Sequence, residues 1–373
     1  MMILIYILAI LTILYCSVLL RILTGLARVP APKSSEQPTV SVVVAARNEE
    51  NNIDALLSCL LSQDYPKDNY EIIIVDDNSE DRTVDIVNQF QSSSLHRLLL
   101  LHTKNRAKVV SPKKNALHLG IKSAVGEIIL LTDADCQPPP KWITGTVAYF
   151  EPAVGLVVGF SPYELPTLGS LWASFLALDS LSLGAVAAGT SGFGSPATCN
   201  GRNLAYRKCV FEQVGGFEKI KQFVSGDDDL FLKLVVRNTH WQTRFAYSAD
   251  LAVPTKVLNS WRQFVHQRLR HASKGFYYEP HQIAVLSILY LYNFLLFITL
   301  PWTLIFGSFF MTLLFYLILK IVTEFLLLYK FASHMGRRAF LTVFPLVAVL
   351  HVPYIVFFGA VGQFRRFRWK TGT

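Results

Sequence analysis

Two aspartates separated by one residue, Asp133 and Asp135, lie in the turn Thr132-Asp133-Ala134-Asp135-Cys136. Neighbouring carboxylates repel each other unless a cation sits between or beside them. Hard oxygen ligands suit Mg²⁺ or Mn²⁺, and such ions usually bind through one or two carboxylates together with substrate phosphates. The pair therefore indicates a site for a divalent metal and a diphosphate, although an isolated Asp-x-Asp fits a solvated turn equally well.

A second acidic group is the run Ser225-Gly226-Asp227-Asp228-Asp229-Leu230. Three adjacent carboxylates are costly unless one takes a proton or binds a ligand. The apolar residues from Leu230 onward predict a helix, so the aspartates would lie at its N-terminus, where the helix dipole offsets part of their repulsion. The run predicts either an acidic site or a plain helix cap.

Four short apolar segments must position the polar turns. They cover residues 40–46, 70–75, 98–101 and 127–131, and helical patterns separate them. This alternation implies an α/β fold with a doubly wound, mostly parallel sheet. Right-handed crossovers bring the strand–helix turns to one edge, where ligands bind. We therefore expect the polar residues after three of the strands to converge on one crevice: Asn48, Glu49, Asp76, Asp77, Asp133 and Asp135.

A missing motif and the apolar composition argue against a dinucleotide-dependent oxidoreductase and against an entirely soluble protein. No Gly-x-Gly-x-x-Gly follows the first strand, which argues against a dinucleotide-dependent oxidoreductase. Hydrophobic residues make up 52% of the 373 residues and charged residues only 16%, which is too apolar for an entirely soluble protein.

Residues 1–20 carry no charged side chain and would span about 30 Å as a helix, the thickness of one bilayer core. A cleaved signal peptide is the less favoured alternative, because no basic segment precedes the apolar run.

The C-terminal third also predicts membrane helices. Residues 283–319 are uncharged and contain Pro301 and Gly307 near the middle, so they predict a helical hairpin through the membrane. Lys320 and Glu324, four residues apart, could pair near the end of its second helix. A last apolar segment follows at about residues 340–361.

The net charge of +9 reflects cations that flank the apolar segments, so it does not indicate nucleic-acid binding. These cations are Arg21, Arg28 and Lys33, then Lys330, Arg337 and Arg338, then Arg365, Arg366, Arg368 and Lys370. By the positive-inside rule the middle of the chain is cytoplasmic. Four full spans would place the basic C-terminus outside, so either the last segment is re-entrant or interfacial, or the rule fails here. Five cysteines without a Cys-x-x-Cys fit reduced thiols in a cytoplasmic domain.

Four motifs in order carry a resemblance to a known family. They are Ala45-Ala46-Arg47-Asn48-Glu49-Glu50, Val75-Asp76-Asp77-Asn78-Ser79, Lys113-Lys114-Asn115-Ala116-Leu117 and Asp133-Ala134-Asp135. Over roughly residues 40–275 the set resembles the family 2 glycosyltransferases of the GT-A fold. The resemblance implies a Rossmann-like nucleotide-sugar domain, transfer from a UDP-sugar with inversion, and a Mg²⁺ or Mn²⁺ cofactor.

The resemblance also implies roles for donor-side residues. Residues of the nucleotide-sugar site would be Ala46, Asn48, Glu49, Asp77, Lys113, Asp133 and Asp135. Glu49 and Asp77 would hold the uracil and ribose, Lys113 the diphosphate, and Asp135 the metal. Simpler alternatives are a favourable helix N-terminal position for Glu49 and an Asx turn for Asp77.

On the acceptor side, the resemblance makes Asp228 the catalytic base, with Asp229 as the alternative. Asn200, Gly201, Asn203 and Asp227 would face the acceptor. Gln267-Arg268-Leu269-Arg270-His271 resembles the Gln-x-x-Arg-Trp motif of membrane synthases. The resemblance implies that Gln267 and His271 would bind the acceptor and that Arg270 would act in catalysis by neutralising diphosphate charge. His271 replaces the tryptophan, which puts acceptor type and processivity in doubt. A basic amphipathic stretch on anionic lipid is the alternative reading of this motif.

The sequence thus predicts an integral protein of a bacterial inner membrane. Its parts would be a membrane helix (1–22), a linker (23–39), a cytoplasmic GT-A domain (40–280), a region of two or three membrane helices (281–363) and a basic tail (364–373). Residues 163–190 would form an interfacial helix, a lid or a buried helix. The predicted acceptor is a lipid or lipid-linked saccharide; the alternatives are a processive polysaccharide synthase and a catalytically silent nucleotide-sugar-binding membrane protein.

Overall fold

The computed structural model describes residues 2–104, 110–165, 170–194, 196–258, 260–272, 278–307 and 309–362, except for the side chain of His271. The chain divides into two compact units. We call the first the helix unit, and its described residues belong to Met1–Ala27, Leu165–Ala185 and Val257–Arg368. We call the second the sheet unit, and its described residues belong to Arg28–Glu164 and Val186–Lys256. The basic tail at 364–373 lies outside the described residues.

The described residues form the following strands and α-helices, each numbered in chain order. The strands are β1 (Val40–Ala46), β2 (Tyr70–Asp76), β3 (Leu98–His102), β4 (Ile128–Leu131), β5 (Val154–Gly159), β6 (Leu204–Arg207) and β7 (Gln242–Ala246). The helices are α1 (Met2–Leu26), α2 (Ile53–Leu61), α3 (Thr83–Ser93), α4 (Pro112–Ser123), α5 (Trp142–Val147), α6 (Leu171–Ser191), α7 (Lys208–Gln213), α8 (Asp229–Asn238), α9 (Trp261–Ala272), α10 (Pro280–Phe306), α11 (Phe310–His334) and α12 (Phe344–Gly362).

Within the described residues the sheet has seven strands in the order β3-β2-β1-β4-β6-β5-β7. Strands β1, β2, β3 and β4 are parallel, and β5 is parallel to β7. Strand β6 runs antiparallel to both of its neighbours. This sheet confirms the predicted doubly wound, mostly parallel α/β fold. The chain leaves β1 toward β2 on one side and β4 lies on the other, so the carboxyl ends of β1 and β4 flank a crevice of the kind that binds ligands.

The sheet is buried on both faces, as its nearly continuous apolar strands predict. One face contributes Val42, Val44, Ile72, Ile74 and Leu130 to the main core, each at most 1% exposed. Helix α4 covers the opposite face. A Cβ at Gly120 would lie 2.4 Å from a side-chain atom of Val43, so this glycine lets α4 approach the sheet closely.

The helix unit contains apolar helices of membrane-spanning length. Among the described residues, five segments are long and apolar enough to cross a membrane: α1, α6, α10, α11 and Arg338–Gly362. Gly307, with φ 68°, ends α10 in a left-handed cap and Phe310 opens α11, so the predicted hairpin is present. Helix α6 covers most of the stretch that was predicted as an interfacial helix, a lid or a buried helix.

Two groups of polar side chains connect these apolar helices. Lys320 Nζ donates to Glu324 Oε1 at 2.7 Å, which confirms the predicted pairing. The same oxygen accepts a hydrogen bond from the Tyr15 hydroxyl and lies 3.2 Å from His351 Nδ1. In the second group the Arg268 guanidinium of α9 pairs with Asp179 of α6, and the Tyr354 hydroxyl of α12 donates to Asp179 Oδ1 at 3.3 Å.

Candidate active site

The loops after β1 and β2 hold each other at the carboxyl edge of the sheet. The N–H of Asn48 donates to Ser79 Oγ at 3.0 Å, and the N–H of Glu80 donates to Asn48 Oδ1 at 2.9 Å. Asn48 has a φ of 52°, in the left-handed region that asparagine tolerates better than most residues. The Ala46 carbonyl accepts the N–H of Asp77 at 2.9 Å. Three predicted donor-site residues, Ala46, Asn48 and Asp77, therefore lie together.

Glu49 lies beside the same loops. Its N–H donates to Thr83 Oγ1 at 2.8 Å, and its carboxylate accepts a hydrogen bond from Asn52 Nδ2 at 2.6 Å. Glu49 thus precedes the first turn of α2, where the helix dipole favours a negative charge. Its side chain is partly exposed, so the carboxylate combines a local structural role with access to solvent.

Asp77 is buried and is held by a residue that the sequence analysis did not identify. Its Oδ1 accepts a hydrogen bond from Thr103 Oγ1 at 2.9 Å, and Thr103 directly follows β3. Burial raises the pKa of Asp77, while the Thr103 hydroxyl and the Arg47 guanidinium offset part of that rise. A polar residue at the end of a third parallel strand was the available signal for Thr103.

Lys113 joins the two acidic groups that are far apart in the sequence. Its Nζ lies 2.7 Å from Asp133 Oδ1 and 3.1 Å from Asp227 Oδ2. Burial alone would lower the pKa of Lys113, but the two carboxylates outweigh it and raise the pKa well above its usual value. Burial would likewise raise the pKa of Asp133, but the Lys113 ammonium outweighs it and lowers that pKa. The contact places the Asp-x-Asp turn and the acidic run in one site.

Asp135 differs from Asp133 in having no ion-pair partner among the described residues. Burial raises its pKa, the carboxylates of Asp133 and Glu49 raise it further, and the Arg202 guanidinium opposes them. Strands β1 and β4 are parallel neighbours, so the turns after them, with Glu49 and Asp135, lie at the same edge of the sheet. This is the convergence that the alternation of strands and helices predicted.

The three adjacent aspartates have different surroundings. Asp227 is buried against Lys113, and Asp229 is buried with its Oδ1 accepting the N–H of Leu230 at 2.9 Å. Asp228 is partly exposed and caps α8, since its Oδ1 accepts the N–H of Asp229 at 2.7 Å. Its Oδ2 accepts the N–H of Gly201 at 3.3 Å. Of the three, Asp228 is the carboxylate open to a substrate.

Gly201 reaches this site because β6 is antiparallel. Leu204 at the start of β6 pairs with Leu131 at the end of β4, so the turn before β6 lies at the same edge as the Asp-x-Asp turn. A Cβ at Gly201 would lie 3.3 Å from Asp227 Oδ2 and 3.6 Å from Asp228 Cβ. The close approach of backbone to two carboxylates explains a glycine at this position.

Arg202 is a second residue that the sequence analysis missed. Its N–H donates to Asn200 Oδ1 at 2.8 Å, and its guanidinium carbon lies 5.7 Å from the ring centre of Tyr163. The guanidinium lowers the pKa of both Asp133 and Asp135, against the larger effect of burial. An arginine beside the glycine of a predicted acceptor turn was the available signal. Asn200, which was predicted to face the acceptor, orients this arginine.

Asn203 lies in the core of the sheet unit. Its Oδ1 accepts a hydrogen bond from Trp142 Nε1 at 2.9 Å, and its Nδ2 donates to the carbonyls of Phe160 and Leu251, both at 2.9 Å. The side chain is 2% exposed. The structure therefore does not bring Asn203 together with Gly201 and Asp228, and its amide is used to hold loops of the fold.

The predicted residues Gln267 and Arg270 lie on α9, which belongs to the helix unit. Both side chains are partly exposed, whereas Arg268 between them is buried against Asp179. The side chain of His271 lies outside the described residues. The roles assigned to Gln267, Arg270 and His271 stay predictions.

The donor set at the sheet edge fits a divalent metal bound together with a diphosphate. Asp133 and Asp135 supply hard oxygen ligands, and burial together with the neighbouring Asp133 carboxylate raises the pKa of Asp135. Among the described residues no group of three or more His, Cys, Asp or Glu side chains is arranged to hold a metal. The protein thus offers one or two carboxylates, and substrate phosphates would complete the coordination, as is usual for Mg²⁺.

Comparisons with known proteins agree with this geometry. Residues 41–213 match the profile of Glycosyl transferase family 2, and residues 128–359, more than half of the chain, match that of Glycosyl transferase family group 2. The mannosyltransferase PcManGT from Pyrobaculum calidifontis, solved in complex with GDP-Man and Mn²⁺, superposes with a TM-score of 0.61. That similarity covers 96% of this chain and 98% of the mannosyltransferase at 20% identity, so it shows the shared fold.

Two bacterial glycosyltransferases are similar to this chain in sequence. The probable glycosyltransferase YdaM of Bacillus subtilis is 30% identical over 241 residues, which is 64% of this chain and 55% of the relative. The beta-monoglucosyldiacylglycerol synthase of Synechocystis is 36% identical over 113 residues, 30% of this chain and 23% of the relative. The chain thus spans about half the length of the first of these relatives and about a quarter of the second. Together with the profile matches, the GT-A sheet and the acidic crevice, these similarities show that the chain belongs to the family 2 glycosyltransferases.

Proposed function

We propose that this enzyme transfers one sugar from a nucleoside-diphosphate sugar, most simply a UDP-sugar, to a lipid or lipid-linked saccharide with inversion at the anomeric carbon. The observation that carries the proposal is the contact of Lys113 with both Asp133 and Asp227. It joins the carboxylates proposed for the donor diphosphate to the acidic run that contains the proposed base. Donor and acceptor chemistry would therefore meet within one group of side chains.

The donor would lie along the carboxyl edge of the sheet. Asp77 and Glu49 would contact the base and ribose, in the place where the loops after β1 and β2 meet. Lys113 would exchange part of its contact with Asp133 for the diphosphate, since an ammonium is a suitable partner for phosphate oxygens. Arg202, whose guanidinium lowers the pKa of both Asp133 and Asp135, would stabilise the same negative charge.

Asp135, with Asp133 beside it, would hold Mg²⁺ or Mn²⁺ on the donor diphosphate. When bound there, such an ion stabilises the negative charge that develops on the leaving diphosphate. The mannosyltransferase of similar fold was solved with GDP-Man and Mn²⁺, which supports this part of the proposal.

Asp228 would act as the general base. It is the partly exposed member of its acidic run, and the N–H groups of Gly201 and Asp229 hold both of its oxygens. A carboxylate fixed in this way can take the proton of an acceptor hydroxyl as that oxygen attacks the sugar. Attack from the face opposite to the diphosphate inverts the anomeric centre.

A lipid acceptor fits the rest of the chain. Five described segments are long and apolar enough to cross a membrane, and one relative bears the name beta-monoglucosyldiacylglycerol synthase. Arg21 lies near the C-terminal end of α1, and Arg28 and Lys33 follow the helix. These cations favour a cytoplasmic position for the sheet unit under the positive-inside rule. A cytoplasmic catalytic domain has access to nucleotide sugars as well as to lipid head groups.

The test is nucleotide release by the full chain in detergent. UDP-sugars and GDP-mannose would be assayed one by one with Mg²⁺ or Mn²⁺, with and without lipid extract, and Asp135→Ala would be compared with the exposed-residue control Asp68→Ala. We expect release that requires one donor, a metal and lipid, and that is lost in Asp135→Ala only.

Two outcomes would contradict the proposal. Binding of UDP without release under every combination would favour a silent nucleotide-sugar-binding protein. A ladder of products of increasing length, in place of one new glycolipid, would favour a processive synthase.

A further inference from the structure

The second lysine of the Lys113-Lys114 pair is buried and contacts backbone carbonyls. Lys114 is 3% exposed, and its Nζ donates to the carbonyls of Ile220 at 2.6 Å, Phe223 at 2.5 Å and Ser225 at 3.3 Å. A lysine ammonium has three N–H donors, so these carbonyls can use all of them. The contacts join α4 to a segment more than a hundred residues away in the sequence.

The segment that Lys114 holds leads directly into the proposed base. Ser225 is followed by Gly226, with φ 98°, and then by Asp227 and Asp228. A glycine with positive φ is easily rotated, because no Cβ restricts it. The chain before Gly226 and the first turn of α8, which Asp228 caps, therefore fix the position of Asp228 from its two sides.

The N-terminal turn of α4 holds this segment at several points. Besides the Lys114 contacts, Ser111 Oγ donates to the carbonyl of Val224 at 2.9 Å. Lys113, one residue before Lys114, contacts Asp227 Oδ2 at 3.1 Å. Ser111 and Lys114 at this end of α4 thus hydrogen-bond to the backbone before the acidic run. Lys113 forms an ion pair with Asp227, the first carboxylate of the run.

We propose that Lys114 is a positioning residue for the transfer reaction: by fixing the carbonyls of Ile220, Phe223 and Ser225, it holds Asp228 against the N–H of Gly201 and in line with the donor site. The proposal rests on the proposed role of Asp228 as base. Lys114 does not touch a substrate in this scheme, and its effect reaches the chemistry through the backbone of residues 220–226. Without it the segment before the acidic run would lose three hydrogen bonds, and the base would be held less firmly.

The test combines hydrogen exchange with kinetics on the full chain in detergent. Lys114→Met removes the ammonium and keeps an unbranched apolar chain, and Lys122→Met on the exposed surface of α4 is the matched control. We expect amides of residues 220–229 to exchange about tenfold faster or more in Lys114→Met, with the strands of the sheet unchanged. Lys122→Met should exchange like the wild type throughout.

The kinetic arm separates positioning from a general loss of stability. A misplacement of about 1 Å can cost about 10²-fold in rate, so we expect kcat to fall by about 10–100-fold in Lys114→Met. The KM for the donor and the Kd for UDP should stay within about twofold, because the donor site itself is intact. Lys114→Arg, which keeps a cation with several N–H donors, should recover part of kcat.

Three results would overturn the proposal. Unchanged exchange at 220–229 would show that Lys114 does not hold this segment, and this arm decides the question even if the wild type transfers no sugar and the proposed function fails. Unchanged kcat in an active preparation would show that the segment does not control the base. A fall in kcat matched by an equal loss of UDP binding would indicate a general defect of the fold. If Lys114→Met does not fold, Lys114→Gln, which keeps two N–H donors, gives the same readouts.

Discussion

Two groups of charged side chains in this protein differ in how their charges balance. The edge cluster lies at the carboxyl edge of the sheet and consists of Lys113, Asp133, Asp135, Asp227 and Asp228. The helix cluster lies between α1, α11 and α12 and consists of Tyr15, Lys320, Glu324 and His351. The edge cluster holds four carboxylates and one ammonium, whereas the helix cluster holds one of each.

The difference in balance indicates a difference in purpose. In the helix cluster three donors converge on one oxygen of Glu324, so a buried charge is compensated within the protein, as the high cost of burying an isolated ion requires. In the edge cluster Asp135 has no ion-pair partner among the described residues, and Arg202 nearby does not remove the excess of acid. We infer that the edge cluster is completed by a bound cation and diphosphate, while the helix cluster holds helices together.

The largest expected effect comes from the edge cluster. Asp228→Asn removes the proposed base and keeps the shape of the side chain, so we expect kcat to fall by about 10²–10⁴-fold. UDP should still bind with unchanged affinity, which equilibrium titration can measure, and the exposed-residue variant Asp250→Asn should turn over normally. If Asp228→Asn keeps its turnover and Asp229→Asn loses it, the base is Asp229.

Substitutions in the helix cluster should lower the stability of the protein and leave the rate of the transfer reaction unchanged. Lys320→Met leaves the buried Glu324 carboxylate without its ammonium, so we expect the free energy of unfolding in detergent to fall by about 3–5 kcal/mol. At low temperature the folded protein should keep its kcat.

A double substitution sharpens this expectation. Lys320→Met combined with Glu324→Leu removes both charges, and replacing a buried ion pair by apolar residues is often nearly neutral, so most of the lost stability should return. A double variant as unstable as Lys320→Met alone would contradict the view that charge balance is what the cluster provides.

A substitution at Asn203 tests whether a neutral polar residue next to Gly201 and Arg202 in the chain serves stability or the reaction. Asn203→Ala leaves Trp142 Nε1 and two buried carbonyls without their partner, so we expect a loss of about 1–3 kcal/mol in unfolding free energy. The KM for the acceptor should be unchanged in the folded fraction. A raised acceptor KM with normal stability would instead support the acceptor-binding role that the sequence predicted.

The smallest expected effect concerns the second polar group of the helix unit. Tyr354→Phe removes one hydrogen bond to Asp179 and leaves the ion pair of Asp179 with Arg268 in place. We expect a loss of about 0.5–1.5 kcal/mol, measured as a shift of thermal unfolding in detergent. Arg268→Met, which leaves Asp179 uncompensated, should cost clearly more; equal losses would show that the ion pair adds nothing to the hydrogen bond.

The sequence by itself determined the local structure and much of the donor side. Apolar runs such as those at β1 and β4 predicted the strands because both faces are buried, and polar turns after them predicted one crevice because parallel strands share an edge. The motif set indicated Lys113, Asp133 and Asp135 as site residues, the family resemblance added Asp228 from the acidic run, and the structure brings these four together. Runs of uncharged residues predicted α1, α10 and α11 because a bilayer core requires them.

Only the tertiary structure decided which distant residues meet. The antiparallel direction of β6 brings Gly201 and Arg202 to the edge cluster and sends Asn203 into the core, although the three are adjacent in the chain. The grip of Lys114 on residues 220–225 and the pairing of Arg268 with Asp179 likewise join segments about 90 to 110 residues apart. Residue type and spacing report local conformation and which face is buried, but the partner of a charged side chain is set by strand direction and packing, which no local pattern encodes.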